Sequence, residues 1–101
     1  MDDSLIEAAR VADCAIRAVL DGRGGISDVS GALRLLGSSI RAWEVRWGRP
    51  CEDTDGTCWE GRISQWDRAI RVSGGRGRKP MLRSVLRELA PLTGVCEEVV
   101  A

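Results

Sequence analysis

The sequence contains no histidine, no tyrosine and no phenylalanine, and it has one lysine against fourteen arginines. Histidine is the side chain that enzymes use most often as a general acid or base, so the commonest basis for an active site is missing. The paired carboxylates at positions 53 and 55 and at positions 97 and 98 lie in a predicted loop and a predicted tail, where no apolar pocket is evident. We therefore expect a protein that is not an enzyme and has no catalytic residues.

Long apolar runs are also absent. No stretch approaches the ~20 apolar residues that cross a bilayer, and residues 1–4 lack the basic and then apolar order of a secretory signal. We expect a cytoplasmic protein that does not contact the membrane. The arginine bias, together with abundant alanine, glycine and valine, is typical of a bacterial or phage genome rich in G and C.

Closely paired metal ligands are missing as well. The chain has four cysteines, and the closest two, Cys51 and Cys58, have six residues between them. A structural zinc site typically needs pairs spaced as C-x-x-C. In a cytoplasmic protein the cysteines should be reduced thiols. We expect no metal and no cofactor.

Four amphipathic helices are predicted from the spacing of the apolar residues, at about residues 4–20, 28–47, 58–72 and 80–90. The second is the clearest, because its apolar residues are four, three, four, three and four positions apart and so lie on one face. They are Val29, Leu33, Leu36, Ile40, Trp43 and Trp47. The sequence therefore predicts an all-α fold, a compact bundle of about four helices with a short C-terminal tail. Its 101 residues are expected to form a single domain, 1–101.

The first helix has more apolar surface than one stripe requires. Leu5, Ala9, Ala12, Ile16 and Val19 form the stripe, and Ile6, Val11, Ala18 and Leu20 widen it. Such a helix has to be buried on two sides, within its own bundle or against a second subunit. We expect this extra apolar surface to be covered by the second subunit of a homodimer, by another protein, or by the two partners in exchange for one another.

Gly37-Ser38-Ser39 is a weak point in the second helix, since glycine costs roughly 1 kcal/mol relative to alanine there. The stretch from Leu35 to Glu44, with Gly48-Arg49-Pro50 after it, resembles the helix-turn-helix of the Cro and repressor family. In that family about three more residues separate the turn glycine from the tryptophan. Because Ile40 and Trp43 continue the apolar stripe without a slip, an unbroken or mildly kinked helix is favoured.

Local signals predict where the helices begin and end. Ser4, three residues before a glutamate, has capping-box spacing, and Ser27 or Asp28 is expected to cap the second helix. Pro80 is expected at the first position of the fourth helix, where a missing N–H costs nothing. Pro91 is expected to end that helix.

Tryptophan is the only aromatic residue type in the chain. Trp43 and Trp66 lie in the middle of their stripes and are expected in the core. Trp47 and Trp59 lie near helix ends beside charged residues, so we expect them to be half exposed. The alternative that all four simply fill the core stays open.

Exposed tryptophan and arginine are the residue types that dominate binding hot spots. The candidate partner-binding residues are therefore Trp47, Trp59, Arg46, Arg49 and Arg62.

Charge is balanced over the whole chain but not along it. Residues 1–60 carry a net charge of −4, whereas residues 61–92 carry +6. Such asymmetry can steer an acidic partner to the basic third. Arginines that simply solvate a helix face explain it equally well.

The run from Arg76 to Pro80 resembles the core of an AT-hook, in which an extended arginine-glycine-arginine lies in the A·T minor groove. Here Lys79 separates the second arginine from the proline. A flexible linker that enters the fourth helix explains the same residues. A third interpretation is an anion site formed by Arg76, Arg78 and Lys79 beside a helix start.

These patterns predict a small bacterial or phage regulatory protein that acts by protein–protein binding as a homodimer. An inhibitor or anti-activator of a transcription factor would be of this kind, by analogy of style and not of motif. The alternative is a DNA-binding transcriptional regulator that uses the basic region 62–87.

Overall fold

The computed structural model describes residues 3–53 and 56–93. Within these ranges the chain forms four α-helices and one short 3₁₀ turn, and the predicted all-α fold is confirmed. The helices are α1 (Asp3–Leu20), α2 (Ile26–Trp47), α3 (Trp59–Val72) and α4 (Arg78–Thr93), and the turn is Gly75–Gly77. No helix among the described residues is long and apolar enough to cross a membrane.

The helices form a closed ring in which each packs against two neighbours, α1 against α2 and α4, and α3 against α2 and α4. Each helix turns its apolar stripe to the centre. The largest fully buried side chains come from all four helices: Trp59, Leu5, Ile16, Leu33, Leu36, Ile40, Ile70, Leu82, Leu89 and Leu92. The stripes predicted from the sequence are therefore the ones that build the core.

The second helix is continuous, as favoured by the phase of its stripe. Gly37 is buried within α2, and a β-carbon placed there would lie 4.0 Å from Ile63 Cγ2 of α3. The glycine therefore lies against the neighbouring helix without breaking its own. The helix-turn-helix that this stretch resembles is not formed.

Two predicted N-terminal caps are wrong. Ser4 lies inside α1, which begins at Asp3. The residue before α2 is Gly25, and neither Ser27 nor Asp28 occupies that position. Asp28 still serves the helix start, because its Oδ2 accepts a hydrogen bond from the Gly25 N–H at 3.2 Å. The carboxylate thus satisfies a backbone donor from inside the first turn.

Both proline boundaries of α4 are also wrong. The helix begins at Arg78, so Pro80 is its third residue, still within the first turn where a backbone N–H has no partner. It continues past Pro91 to Thr93 because Leu92 and Thr93 are buried. Burial of this last turn outweighs the hydrogen bond that the proline cannot donate. The remainder of the predicted tail, residues 94–101, lies outside the described residues.

Candidate partner-binding surface

The last turns of α2 extend beyond the core of the bundle. The buried residues of α2 end at Ile40, and a helix of 22 residues is roughly 33 Å long, against roughly 27 Å for the 18 residues of α1. Trp43 is only partly buried against the core, and Trp47 is 55% exposed. The same stripe that enters the core at Val29 thus carries an indole to the surface at Trp47, 18 residues or about five helical turns later.

Four side chains at this end form what we call the Trp–Arg cluster: Trp43, Arg46, Trp47 and Arg49. The two indole rings lie 6.4 Å apart between centroids, tilted by 45°. The guanidinium carbon of Arg46 is 5.6 Å from the centre of the Trp47 ring, and that of Arg49 is 5.4 Å from the Trp43 ring. These distances are within the range of cation–π attraction. The cluster is therefore a pre-formed surface of aromatic rings held between cations.

The backbone turn after α2 sets the position of Arg49. Gly48 has the left-handed conformation (φ 67°), and its N–H donates to the Glu44 carbonyl at 2.8 Å to close the helix. The Cys51 N–H then donates to Glu44 Oε2 at 2.9 Å, which folds the chain back along the helix end. The change of chain direction after Gly48 places Arg49 over the Trp43 ring.

A shallow depression adjoins the cluster. It is lined by Trp43, Arg49, Pro50, Cys51 and Glu52 and has a volume of about 440 Å³. Cys51 is 2% exposed, and the pKa of its thiol is raised first by burial and then by the nearby Glu44 carboxylate. The thiol therefore stays protonated and is not a nucleophile.

Trp59 does not take part in this surface. It is 1% exposed, so the prediction that it is half exposed is wrong. Its ring lies 6.2 Å from that of Trp66 in an edge-to-face arrangement, and Trp66 is itself buried as predicted. Trp59 is the first residue of α3, and its N–H donates to the Cys51 carbonyl at 3.0 Å.

Arg62 lies with Trp59 and apart from the other predicted arginines. Its guanidinium carbon is 4.9 Å from the Trp59 ring centre, and its NH1 donates to Asp53 Oδ2 at 2.7 Å. Both charged side chains are 17% exposed. Of the five predicted partner-binding residues, the structure brings Arg46, Trp47 and Arg49 together and places Trp59 and Arg62 in a separate, largely buried group.

The basic segment before α4 has a compact conformation. Arg76 lies in the 3₁₀ turn and Arg78 is the first residue of α4, so the segment is not the extended chain that an AT-hook requires. Arg78 is half-buried and its NH2 donates to the Ser73 carbonyl at 2.7 Å. Arg76 and Lys79 are exposed. The three candidate anion-binding residues therefore lie close in sequence, but only Arg76 and Lys79 are exposed to solvent.

Two residues at this end of the molecule, Trp43 and Pro50, are not among the predicted partner-binding residues. Trp43 is predicted in the core because it continues the stripe, and the signal for its partial exposure is that α2 is longer than α1.

Within the described residues, no group of three or more histidine, cysteine, aspartate or glutamate side chains is placed to hold a metal ion. Comparison with protein-family models, curated proteins and solved structures finds no match for this chain.

Proposed function

We propose that this chain is a small regulatory protein that acts by binding another protein, in the manner of an inhibitor or anti-activator of a transcription factor, and that it works as a homodimer. The observation that supports the proposal is the Trp–Arg cluster. Trp47 is 55% exposed, whereas Trp59 and Trp66 are buried. Tryptophan and arginine are the residue types most enriched among binding hot spots.

The energetics favour a protein partner. Tryptophan exposes roughly 200 Å² when free, so covering the exposed part of Trp47 removes about 100 Å² of surface from water, worth up to about 3 kcal/mol before ordering costs. The rings are already packed against arginines, so little side-chain freedom is lost on binding. A partner that presents an apolar group flanked by carboxylates would fit this surface, with the apolar group on the exposed Trp47 ring and the carboxylates toward Arg46 and Arg49.

The DNA-binding alternative rests on a different part of the molecule. It uses the net charge of +6 over residues 61–92 and the exposed cations of that region, among them those at positions 76 and 79. The compact 3₁₀ turn and the bond from Arg78 to the Ser73 carbonyl give it less support. We therefore place protein binding first.

The partner can be identified by comparing the proteins that bind to the wild type with those that bind to a Trp47→Ala variant. Proteins from a lysate of the source cells are captured on the wild type and on Trp47→Ala, and those lost by the variant are purified. Trp47→Ala should weaken the affinity for such a protein by at least about 30-fold, as expected for a hot spot worth about 2 kcal/mol. Isothermal titration calorimetry measures the change.

Val45→Ala is the matched control. Val45 is 85% exposed and lies on the same helix end, but two positions before Trp47, which places it on the opposite side of α2. Its affinity should stay within about twofold of the wild type, the effect of a rim contact. Equal binding by the wild type and Trp47→Ala would contradict the proposal.

A further inference from the structure

The outward side of α4 carries a line of positive charges that lies apart from the Trp–Arg cluster in sequence. Lys79, Arg83 and Arg87 follow one another at intervals of four residues, so their side chains leave the helix on one side, about 6 Å apart along its axis. All three side chains are exposed. We call these three residues the α4 stripe, which is about 12 Å long.

No carboxylate of α4 lies on the side of the stripe. Glu88, the acidic residue of this helix, is about 100° further around the axis than Arg87. Its Oε2 accepts a hydrogen bond from Trp66 Nε1 of α3 at 3.2 Å, which turns it toward that helix. Among the residues that the structure describes, no cation of the stripe takes part in an ion pair. The charge of the stripe is therefore not neutralised by this part of the chain.

Positive charge continues at both ends of α4. Arg76 is exposed in the 3₁₀ turn just before the helix. Arg10 of α1 is exposed as well, and its Nε donates to the carbonyl of Thr93, the last residue of α4, at 3.3 Å. An anionic chain that lies along α4 would therefore meet the stripe first and a further cation at either end.

The stripe repeats like charges at a spacing where two other helices place opposite charges. In α1, Arg17 pairs with Asp13, four residues before it. In α3, Arg71 pairs with Asp67 in the same way. Like charges four residues apart destabilise a helix, and the stripe contains two such pairs. A bound anion would relieve this repulsion, which the helix does not relieve by itself.

We propose that the α4 stripe binds an acidic segment of the protein partner, in which carboxylates repeat about every 6 Å. Glutamates four residues apart on a helix have this spacing and can face Lys79, Arg83 and Arg87 one by one. The inference rests on the protein binding of the proposed function and names the chemistry of a second contact, on a different helix from the Trp–Arg cluster.

The distribution of charge favours a short acidic segment over a nucleic acid. Residues 1–60 carry a net charge of −4. A DNA duplex carries one negative charge for about every 1.7 Å of its axis and continues beyond the ends of α4, so its phosphates also approach the acidic part of the chain. A segment of about 10 helical residues spans about 15 Å, close to the length of the stripe, and contacts mainly cations.

Fluorescence anisotropy of a labelled acidic peptide tests the inference on the full chain. The peptide has about 20 residues, with glutamate at every fourth position among alanines and glutamines, a composition that favours a helix. At about 0.05 M salt it should bind the wild type with a Kd below about 1 mM, and the affinity should fall as salt is added. Arg83→Glu and Arg87→Glu should each weaken binding by about 10-fold, because each replaces attraction by repulsion.

Arg68→Glu is the matched control, because Arg68 is an exposed cation of α3 and its replacement changes the net charge equally. Its affinity should stay within about twofold of the wild type. Equal weakening by Arg68→Glu would show that net charge alone matters and would overturn the stripe.

Two other outcomes also decide against the inference. A wild type that does not bind the peptide overturns it alone, because the comparison of the wild type with Trp47→Ala tests the proposed function without the stripe. A DNA duplex of equal total charge that binds more tightly than the peptide at about 0.15 M salt would assign the stripe to nucleic acid and overturn the acidic segment.

Discussion

At the scale of single residues, Arg62 links the loop after α2 to the first turn of α3. Its guanidinium stacks on the Trp59 ring at 4.9 Å and donates to Asp53 at 2.7 Å, with both charged side chains only 17% exposed. A charge-assisted hydrogen bond and a partly desolvated cation–π contact each exceed what an exposed pair gives. Arg62 is therefore a structural residue as well as a candidate contact.

Arg62→Ala should lower the free energy of unfolding by about 2 kcal/mol, because it removes both contacts and leaves a largely buried carboxylate without this donor. Arg71→Ala is the comparison: Arg71 pairs with Asp67 at 2.9 Å within the same helix, but its side chain is 50% exposed. That loss should stay within about 0.5 kcal/mol. Urea denaturation measures both, and equal losses would show that the Arg62 contacts are no stronger than a surface pair.

At the scale of the elements, two exposed glycines have opposite roles. Gly61 lies inside α3 and Gly48 ends α2 in the left-handed conformation at φ 67°. A β-carbon at either position would meet nothing within 4 Å, so sterics with neighbouring residues do not decide the outcome. Backbone conformation decides it.

Gly61→Ala should raise the stability by about 0.5–1 kcal/mol, because alanine reduces the backbone freedom of the unfolded chain and is favoured in a helix. Gly48→Ala should lower it by about 1 kcal/mol, because an L-residue is strained at positive φ. Thermal unfolding followed by circular dichroism gives both signs. Loss of stability in Gly61→Ala would mean that the helix around it is held in some other conformation.

Helix faces could be predicted from the sequence more reliably than helix ends. The stripe from Val29 to Ile40 enters the core as expected, because a period of 3.6 fixes direction around a helix axis. The positions of the helix ends depend on tertiary burial. In α4 the burial of Leu92 outweighs the local signal of Pro91, and the helix continues past that proline. Periodicity also gives no depth, so it could not tell that Trp43 is only partly buried. The exposure of Trp47 could be predicted, because this residue lies beside charged residues at a helix end.

The candidate partner-binding surface could also be predicted in part from the sequence. Arg46, Trp47 and Arg49 could be predicted to lie together because they follow one helix end within four positions. The position of Trp59 could not, since it depends on backbone hydrogen bonds such as the one from the Trp59 N–H to the Cys51 carbonyl, which local sequence signals do not reveal. Which helices are neighbours could not be predicted either, because periodicity fixes the faces of a helix and not its partners.

At the scale of the whole molecule the net charge is zero, but six of the eight cations of residues 61–92 are exposed to solvent. Residues 1–60 carry −4 and would oppose the approach of a polyanion, whereas residues 61–92 carry +6. Some of the cations are already engaged, as Arg71 is with Asp67 and Arg78 with the Ser73 carbonyl. The molecule thus offers fewer phosphate contacts than its arginine content indicates.

The wild type should therefore not retard an A·T-rich duplex at about 0.15 M salt, because affinity from a few phosphate contacts falls steeply with salt concentration. Retardation at about 0.02 M salt would be non-specific and should be reduced similarly by Arg76→Ala and by Arg83→Ala, both of which remove an exposed cation. Electrophoretic mobility of A·T-rich and G·C-rich duplexes of equal length measures the effect. Binding that persists at physiological salt, prefers the A·T-rich duplex and is abolished by Arg76→Ala alone would mean that the 3₁₀ turn opens to enter a minor groove, and DNA binding would then replace protein binding as the function of this chain.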